Sequence, residues 1–274
     1  YFWPQGNLSK NIETQTDMKF YLENGGHHKG NKGDMAILIS LIREFEEIWP
    51  GSTYFIPLPD PGVDVSSKPQ LHFIIPLEDY VIRTGQSNGR WRIAWRMFKT
   101  ILKTYSLKIC KHHLKNGSLD RCLASMMESD AVVLTGGGYL NDLWSVTASV
   151  RCGLVTLIAG IFKKPVIYSG HGVGPLNKPW LKFWLRFCLR NIKLFGVREG
   201  KYSPRLVKNI ISDLSTIKIS GDDAVSLHVD YTGIPTKEQI CKGKSCLIGF
   251  NLRLKSYNAN CDKYVQPVLD ALQL

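Results

Sequence analysis

The sequence predicts an α/β fold: a parallel sheet with crossover helices on both faces. Three observations predict it. Short apolar runs alternate along the chain with longer stretches whose apolar residues recur at helical spacing. The runs end again and again in glycine beside a charged or polar residue, the texture of ligand loops at the carboxyl ends of parallel strands. The 274 residues, 44% hydrophobic and 21% charged, suffice for a sizeable core.

The elements follow in order. Residues 1–19 are polar and irregular, and residues 20–34 carry glycines and two histidines, ending in GNKGD. Met35 to Trp49 reads as a helix, because Ile37, Leu38, Leu41, Ile42, Phe45 and Ile48 recur at helical spacing. Ser52–Ile56 is a strand, Pro57–Pro69 with its four prolines a loop, and Leu71–Ile75 another strand. A basic helix follows. Ala131–Thr135 is a buried strand, and a helix runs from about Leu143 toward Phe162. Pro165–Ser169 is a strand, GHGVGP a loop, and a second basic helix comes next. Leu194–Arg198 is a strand, Tyr202–Ile211 a helix, and Ile217–Ile219 a strand ending in GDD. A break falls at Thr232–Lys244. Beyond it Ser245–Asn251 reads as a strand and Asp262–Leu274 as a helix, a pair too small to fold alone. The expected organisation is an irregular segment over 1–19, a Rossmann-like domain over 20–235, and a linker with the start of a second such domain over 236–274.

Charge narrows the partners. The net charge is +12, and acids are absent between Asp79 and Asp120 and again between Asp142 and Glu199, each stretch holding nine Lys or Arg. In the first, Trp91, Trp95, Phe98 and Leu102 share one helical face beside Arg92, Arg96, Lys99 and Lys103. In the second, Lys178, Lys182, Arg186 and Arg190 recur every four residues alongside Trp180, Phe183, Trp184 and Phe187. Such stripes are either core with solvated charges or an element for an anionic membrane surface. No recognition motif accompanies the charge, so nucleic acid is not expected. Seven cysteines without a CxxC pair indicate reduced thiols and a cytoplasmic compartment, peripheral to the inner face of the membrane if the basic helices meet lipid.

The candidate site residues lie at the strand ends: Gly33 and Asp34, Gly136-Gly137-Gly138 with Asn141 and Asp142, His171 and Gly172, Arg198, and Asp222. Glycines let a ligand lie against backbone N–H groups, and helix N-termini favour anions. The triplet serves either this or tight helix–strand packing. Asp34 and Asp142 are general bases or helix caps, and His171, between glycines, reads as functional rather than as a core histidine. No Walker loop or dinucleotide fingerprint is present. The His27-His28 and His112-His113 pairs lack further ligands at metal spacing, so no metal is expected.

Taken together, GNKGDMAIL, VVLTGGGYLND, YSGHGVGP, GVREGKYS, ISGDDAVSL and IGFNLR, in this order, resemble the polysaccharide pyruvyl transferase family. The resemblance runs from about Gly30 to Arg253. It implies a GT-B-type architecture of two Rossmann-like halves facing a cleft. It also implies transfer of a pyruvyl group from phosphoenolpyruvate to a sugar of a surface polysaccharide or its lipid-pyrophosphate-linked precursor, without a further cofactor. On that resemblance Asp34 or Asp142 is the base, His171 assists proton transfer, Asn31 and the Gly136–Gly138 backbone orient the sugar, and Arg198 and Arg253 face the donor. Two departures stand out: His171 where the family usually has Gln, and Asp223 where Pro is common. The family's Arg-Leu-His motif does not follow Arg253, so the expectation is a fragment of a larger protein or a chain without full catalytic competence. The alternatives are a nucleotide-sugar glycosyltransferase of the same fold and a non-catalytic glycan- or lipid-binding module.

Overall fold

The computed structural model describes residues 17–23, 32–58, 70–83, 89–110, 117–143 and 146–226. The chain divides into two compact units, Tyr1–Leu227 and His228–Leu274, and all described residues belong to the first. Asn31, Arg253, the two histidine pairs, the break at Thr232–Lys244 and the elements expected beyond it lie outside the described residues, as do residues 1–16 of the irregular segment.

Among the described residues, eight strands form one sheet: β1 (Lys19–Glu23), β2 (Thr53–Pro57), β3 (Leu71–Ile74), β4 (Ala131–Leu134), β5 (Gly137–Leu140), β6 (Val166–Val173), β7 (Leu194–Val197) and β8 (Ile217–Ile219). Their order is β3-β2-β1-β4-β6-β7-β8, with β5 beside β6, and every pairing is parallel. Parallel neighbours require crossovers. Among the described residues these use α1 (Lys32–Ile48), α2 (Arg90–Ile109), α3 (Ser118–Glu128), α4 (Val146–Ile161), α5 (Pro179–Cys188) and α6 (Ser203–Val207). The α/β class and the parallel sheet are as the alternation predicts.

Side chains of the central strands alternate between two cores, as strand geometry demands. Phe20 and Leu22 of β1, with Val133 of β4, pack on Leu38, Leu41 and Phe45 of α1. Tyr21, Val132 and Leu134 point the other way, into the larger core built with α3, α4 and α5.

Four differences from the sequence reading have physical causes. β1 was not expected: KFYLE is too short to show a period, and its place between β2 and β4 is what makes it a strand. The helix α3 was missed, although Leu119, Cys122, Leu123 and Met126 sit at helical spacing and are buried. α1 begins at Lys32, so Gly33 and Asp34 are in its first turn rather than in a loop. β6 runs through Gly170, His171 and Gly172 to Val173, since β5 pairs with its second half through Gly137 and His171. The loop begins only after Val173.

The aromatic stripe of α2 is not core. Its inner face is instead Ile93, Met97, Ile101 and Leu107 with the buried Thr100 and Thr104. Both threonine hydroxyls donate to carbonyls one turn back, at 2.8 Å, so no polar group is stranded.

Candidate active site

In this strand order the direction of winding reverses between β1 and β4, with α1 leaving to one face and α4 to the other. The crevice outside such a switch point is where open parallel sheets bind ligands. β4 delivers Thr135 and the glycine triplet to it, and α1 presents its N-terminus there with Asp34, half-buried, in the first turn.

Two of the three glycines are required by the protein's own packing, and the third is not. A Cβ on Gly136 would lie 2.9 Å from the Asp223 carboxylate and 3.1 and 3.2 Å from the carbonyl oxygens of Gly170 and Ser169. Gly137 has φ of 150°, and a Cβ there would enter the Tyr139 ring. Gly138 is exposed, with open space where its Cβ would be. So the close approach at the first two is made by the protein itself, and only Gly138 offers bare backbone outward.

Asp223 is the carboxylate that the glycines admit. Ser169 Oγ donates to it at 2.8 Å and the Gly136 N–H donates to it as well, while Gly170, at φ 53°, also leaves room for it. Burial outweighs these donors and, helped by Glu44, pushes its carboxyl up to about 6. Beside it, Arg198 Nε pairs with Asp222 Oδ2 at 3.3 Å, both side chains about a third exposed, and reaches the Gly170 carbonyl at 3.4 Å. The ends of β4, β6, β7 and β8 thus bring Gly136, Ser169, Gly170, Arg198, Asp222 and Asp223 together.

Asp34 meets this edge from α1. Its carboxylate lies against the Tyr139 hydroxyl, whose proton is held more tightly because of burial first and Asp34 second. Behind Tyr139 lies a buried ion cluster. Arg151 of α4, 2% exposed, pairs with Glu23 at the end of β1 and with Glu78, and its guanidinium is 6.0 Å from the Tyr139 ring centre. Thr135 N donates to the Glu23 carbonyl at 2.9 Å, tying the cluster to the triplet strand. Sequence reasoning missed Glu23, Glu78, Arg151, Tyr139 and the central place of Asp223. The signal was there: Arg151 is the one charge in VTASVRCGLVTLIAGI, and a lone arginine in an apolar helix needs buried carboxylates.

Three expected residues have other roles. Asp142 is 4% exposed, and its Oδ2 accepts from the backbone N–H groups of Asn177 and of Lys178, the latter at 2.6 Å. It anchors the start of α5 and cannot face a substrate hydroxyl. Asn141 is fully buried, donating to the Gly138 carbonyl at 2.7 Å and accepting from Leu143 N at 3.1 Å, so it shapes the loop rather than touching sugar. His171 is fully buried on β6, packed between Tyr168 and Phe195 at 4.9 and 6.1 Å. Its Nε2–H donates to the Leu134 carbonyl at 3.3 Å, and burial lowers its pKa to about 3. The flanking glycines suggested an open loop, but they belong to a strand. It is a core histidine, neutral at any physiological pH, and the proton-transfer role expected of it is withdrawn. Gly172 is half-buried on the same strand, against the Gly137 carbonyl.

The family model for polysaccharide pyruvyl transferase matches residues 31–271. The amylovoran biosynthesis protein AmsJ of Erwinia amylovora is 24% identical over 192 residues, 64% of this chain and 41% of that protein. Among solved structures, the apo form of the lipopolysaccharide outer core galactosyltransferase WaaB aligns with a TM-score of 0.36 and 11% identity, covering 74% of this chain and 44% of that one. The chain therefore spans less than half the length of the curated relative it matches.

Proposed function

Because the chain belongs to the polysaccharide pyruvyl transferase family, we propose that it transfers the pyruvyl group of phosphoenolpyruvate to two hydroxyls of a glycan, forming a ketal and releasing phosphate. The observation that carries this reading is the family match across 31–271, with the switch-point crevice as its physical setting.

In the reaction the methylene carbon of phosphoenolpyruvate gains a proton and the adjacent carbon becomes oxocarbenium-like. One hydroxyl adds there, phosphate departs, and the second hydroxyl closes the ketal. Of the two hydroxyl protons, one ends on the new methyl group and the other leaves with phosphate or solvent. Asp34 is the base for the first hydroxyl in this scheme, having the partly exposed carboxylate that Asp142 lacks. Asp223, poised near 6, is suited to hold and return a proton close to neutral pH. The α1 N-terminus and the Arg198 guanidinium supply positive potential for the phosphate. Gly138 offers bare backbone to the sugar. On the family resemblance alone, Asn31 is assigned to the sugar and Arg253 to the donor. The acceptor is a surface polysaccharide repeat or its lipid-pyrophosphate-linked precursor, and the reaction faces the cytoplasm.

Ligand protection tests the donor. Phosphoenolpyruvate should raise the melting temperature of the chain while uridine and guanosine diphosphate sugars leave it unchanged. The reverse pattern would assign the crevice to a nucleotide-sugar glycosyltransferase.

A further inference from the structure

We propose that α2 and α5 together form a docking face for an anionic lipid surface. Both helices pack on α4, and their C-terminal ends converge on one hollow, where Tyr105 and Lys108 of α2 meet Phe187 and Arg190 at the end of α5. They therefore lie on the same side of the sheet.

The outward side of this pair is apolar and aromatic. Trp91 is 88% exposed, Trp95 56% and Ile109 79% on α2, while Trp180 is 53% and Phe183 73% exposed on α5. A soluble monomer rarely leaves so many large apolar groups together in water. Their position is not an accident of poor packing, since each helix buries a separate inner stripe. On α5 that stripe includes Leu181 and Leu185, with Trp184 turned inward, its Nε1 donating to the Val150 carbonyl at 3.2 Å over Gly153. A Cβ on Gly153 would sit 2.5 Å from that nitrogen.

Cations flank the aromatic groups. Lys99 Nζ lies 5.2 Å from the Trp95 ring centre and the Arg190 guanidinium 5.0 Å from that of Phe187. Neither helix contains an acid. Aromatic groups with a basic margin and no acids are the composition of an interfacial element, with the rings entering the head-group boundary and the cations meeting lipid phosphates. A two-fold dimer through this face would oppose like charges. A nucleic acid would answer the cations but not aliphatic Leu102 and Ile109, also exposed. No described helix is long and apolar enough to cross a membrane, so the contact is with the surface.

Sedimentation of the full chain with vesicles of phosphatidylcholine, and of phosphatidylcholine and phosphatidylglycerol in a two-to-one ratio, tests this without any turnover. Binding is expected only to the anionic vesicles and should weaken with salt. The Trp91→Ser/Phe183→Ser variant changes only exposed side chains, and its partitioning should fall about tenfold. Arg96→Gln/Lys182→Gln should lose roughly fivefold per cation. Equal sedimentation with both vesicle types, or variants that bind like the parent, would overturn the proposal. Self-association abolished by Trp91→Ser/Phe183→Ser would give the face to a second copy instead, and displacement from vesicles by single-stranded RNA would give it to nucleic acid.

Discussion

Replacing Asp142 separates a structural carboxylate from a catalytic one. The side chain is 4% exposed and its Oδ2 holds two backbone N–H groups at the start of α5. Hydrogen bonds to a charged acceptor contribute about 1.5–3 kcal/mol each, and because one oxygen serves both, the lower end applies, about 3 kcal/mol for the pair. The anion also faces the positive end of the α5 dipole, adding about 0.3–1 kcal/mol. Asp142→Ala should therefore cost about 3–4 kcal/mol, removing the carboxylate from both donors at the start of α5. At roughly 2–4 °C per kcal/mol for a domain of this size, the melting temperature should fall by roughly 6–16 °C. Asp142→Asn keeps an acceptor oxygen and loses only its charge, so about 1–2 kcal/mol is expected. Circular dichroism melts and urea titrations of both variants provide the measurement. An Ala variant that melts within about 2 °C of the parent would show that Asp142 does not anchor α5 and would make it a candidate base again.

The glycine triplet should be unequal. Gly136→Ala, facing Asp223 and two fixed carbonyls, should cost about 1–3 kcal/mol in urea unfolding, whereas Gly138→Ala, facing open space, should stay within about 0.5 kcal/mol. Arg151→Met takes the guanidinium from the buried Glu23 and the half-buried Glu78 and should cost about 3–5 kcal/mol by the same measurement. Two groups shape the pH profile in opposite senses. His171, at about 3 when folded against 6.5 when free, takes up its proton more readily in the unfolded chain. Its contribution is intact above 6.5 and is lost as pH falls toward 3, so His171→Phe should flatten the acid limb of stability. Asp223, at about 6 against 3.8, binds its proton more tightly when folded. Stability is lost as pH rises from 3.8 through 6, by roughly 2–3 kcal/mol, and Asp223→Asn should abolish that slope in pH-resolved melts.

What was legible in the sequence was periodic or local. The helical spacing of Ile37, Leu38, Leu41 and Phe45 and the apolar run of β4 sufficed for α1 and the sheet centre, and the glycine-bearing strand ends pointed to the edge where Gly136, Arg198 and Asp222 converge. What was not legible was set by contacts distant in sequence. β1 is a strand because β2 and β4 flank it, and Glu23 tolerates burial because Arg151, more than a hundred residues away, pairs with it. His171 sits between glycines in both strand and loop, and only the pairing with Gly137 decides. On α2 two apolar stripes compete, and the larger aromatic residues drew attention from the Ile93–Leu107 stripe that enters the core. Asp223 was visible as a departure from the family pattern, but its neighbours Ser169 and Gly136 come from other strands.

Pyruvyl transfer is read out by phosphate release from phosphoenolpyruvate, measured with and without a glycan carrying paired free hydroxyls, and by proton NMR of the product. Acceptor-dependent phosphate release matched by a new ketal methyl signal is expected, with loss of both in Asp34→Asn when the variant melts like the parent. A folded chain that releases no phosphate from phosphoenolpyruvate at saturating acceptor, yet transfers sugar from a nucleotide donor to the same glycan, would contradict it.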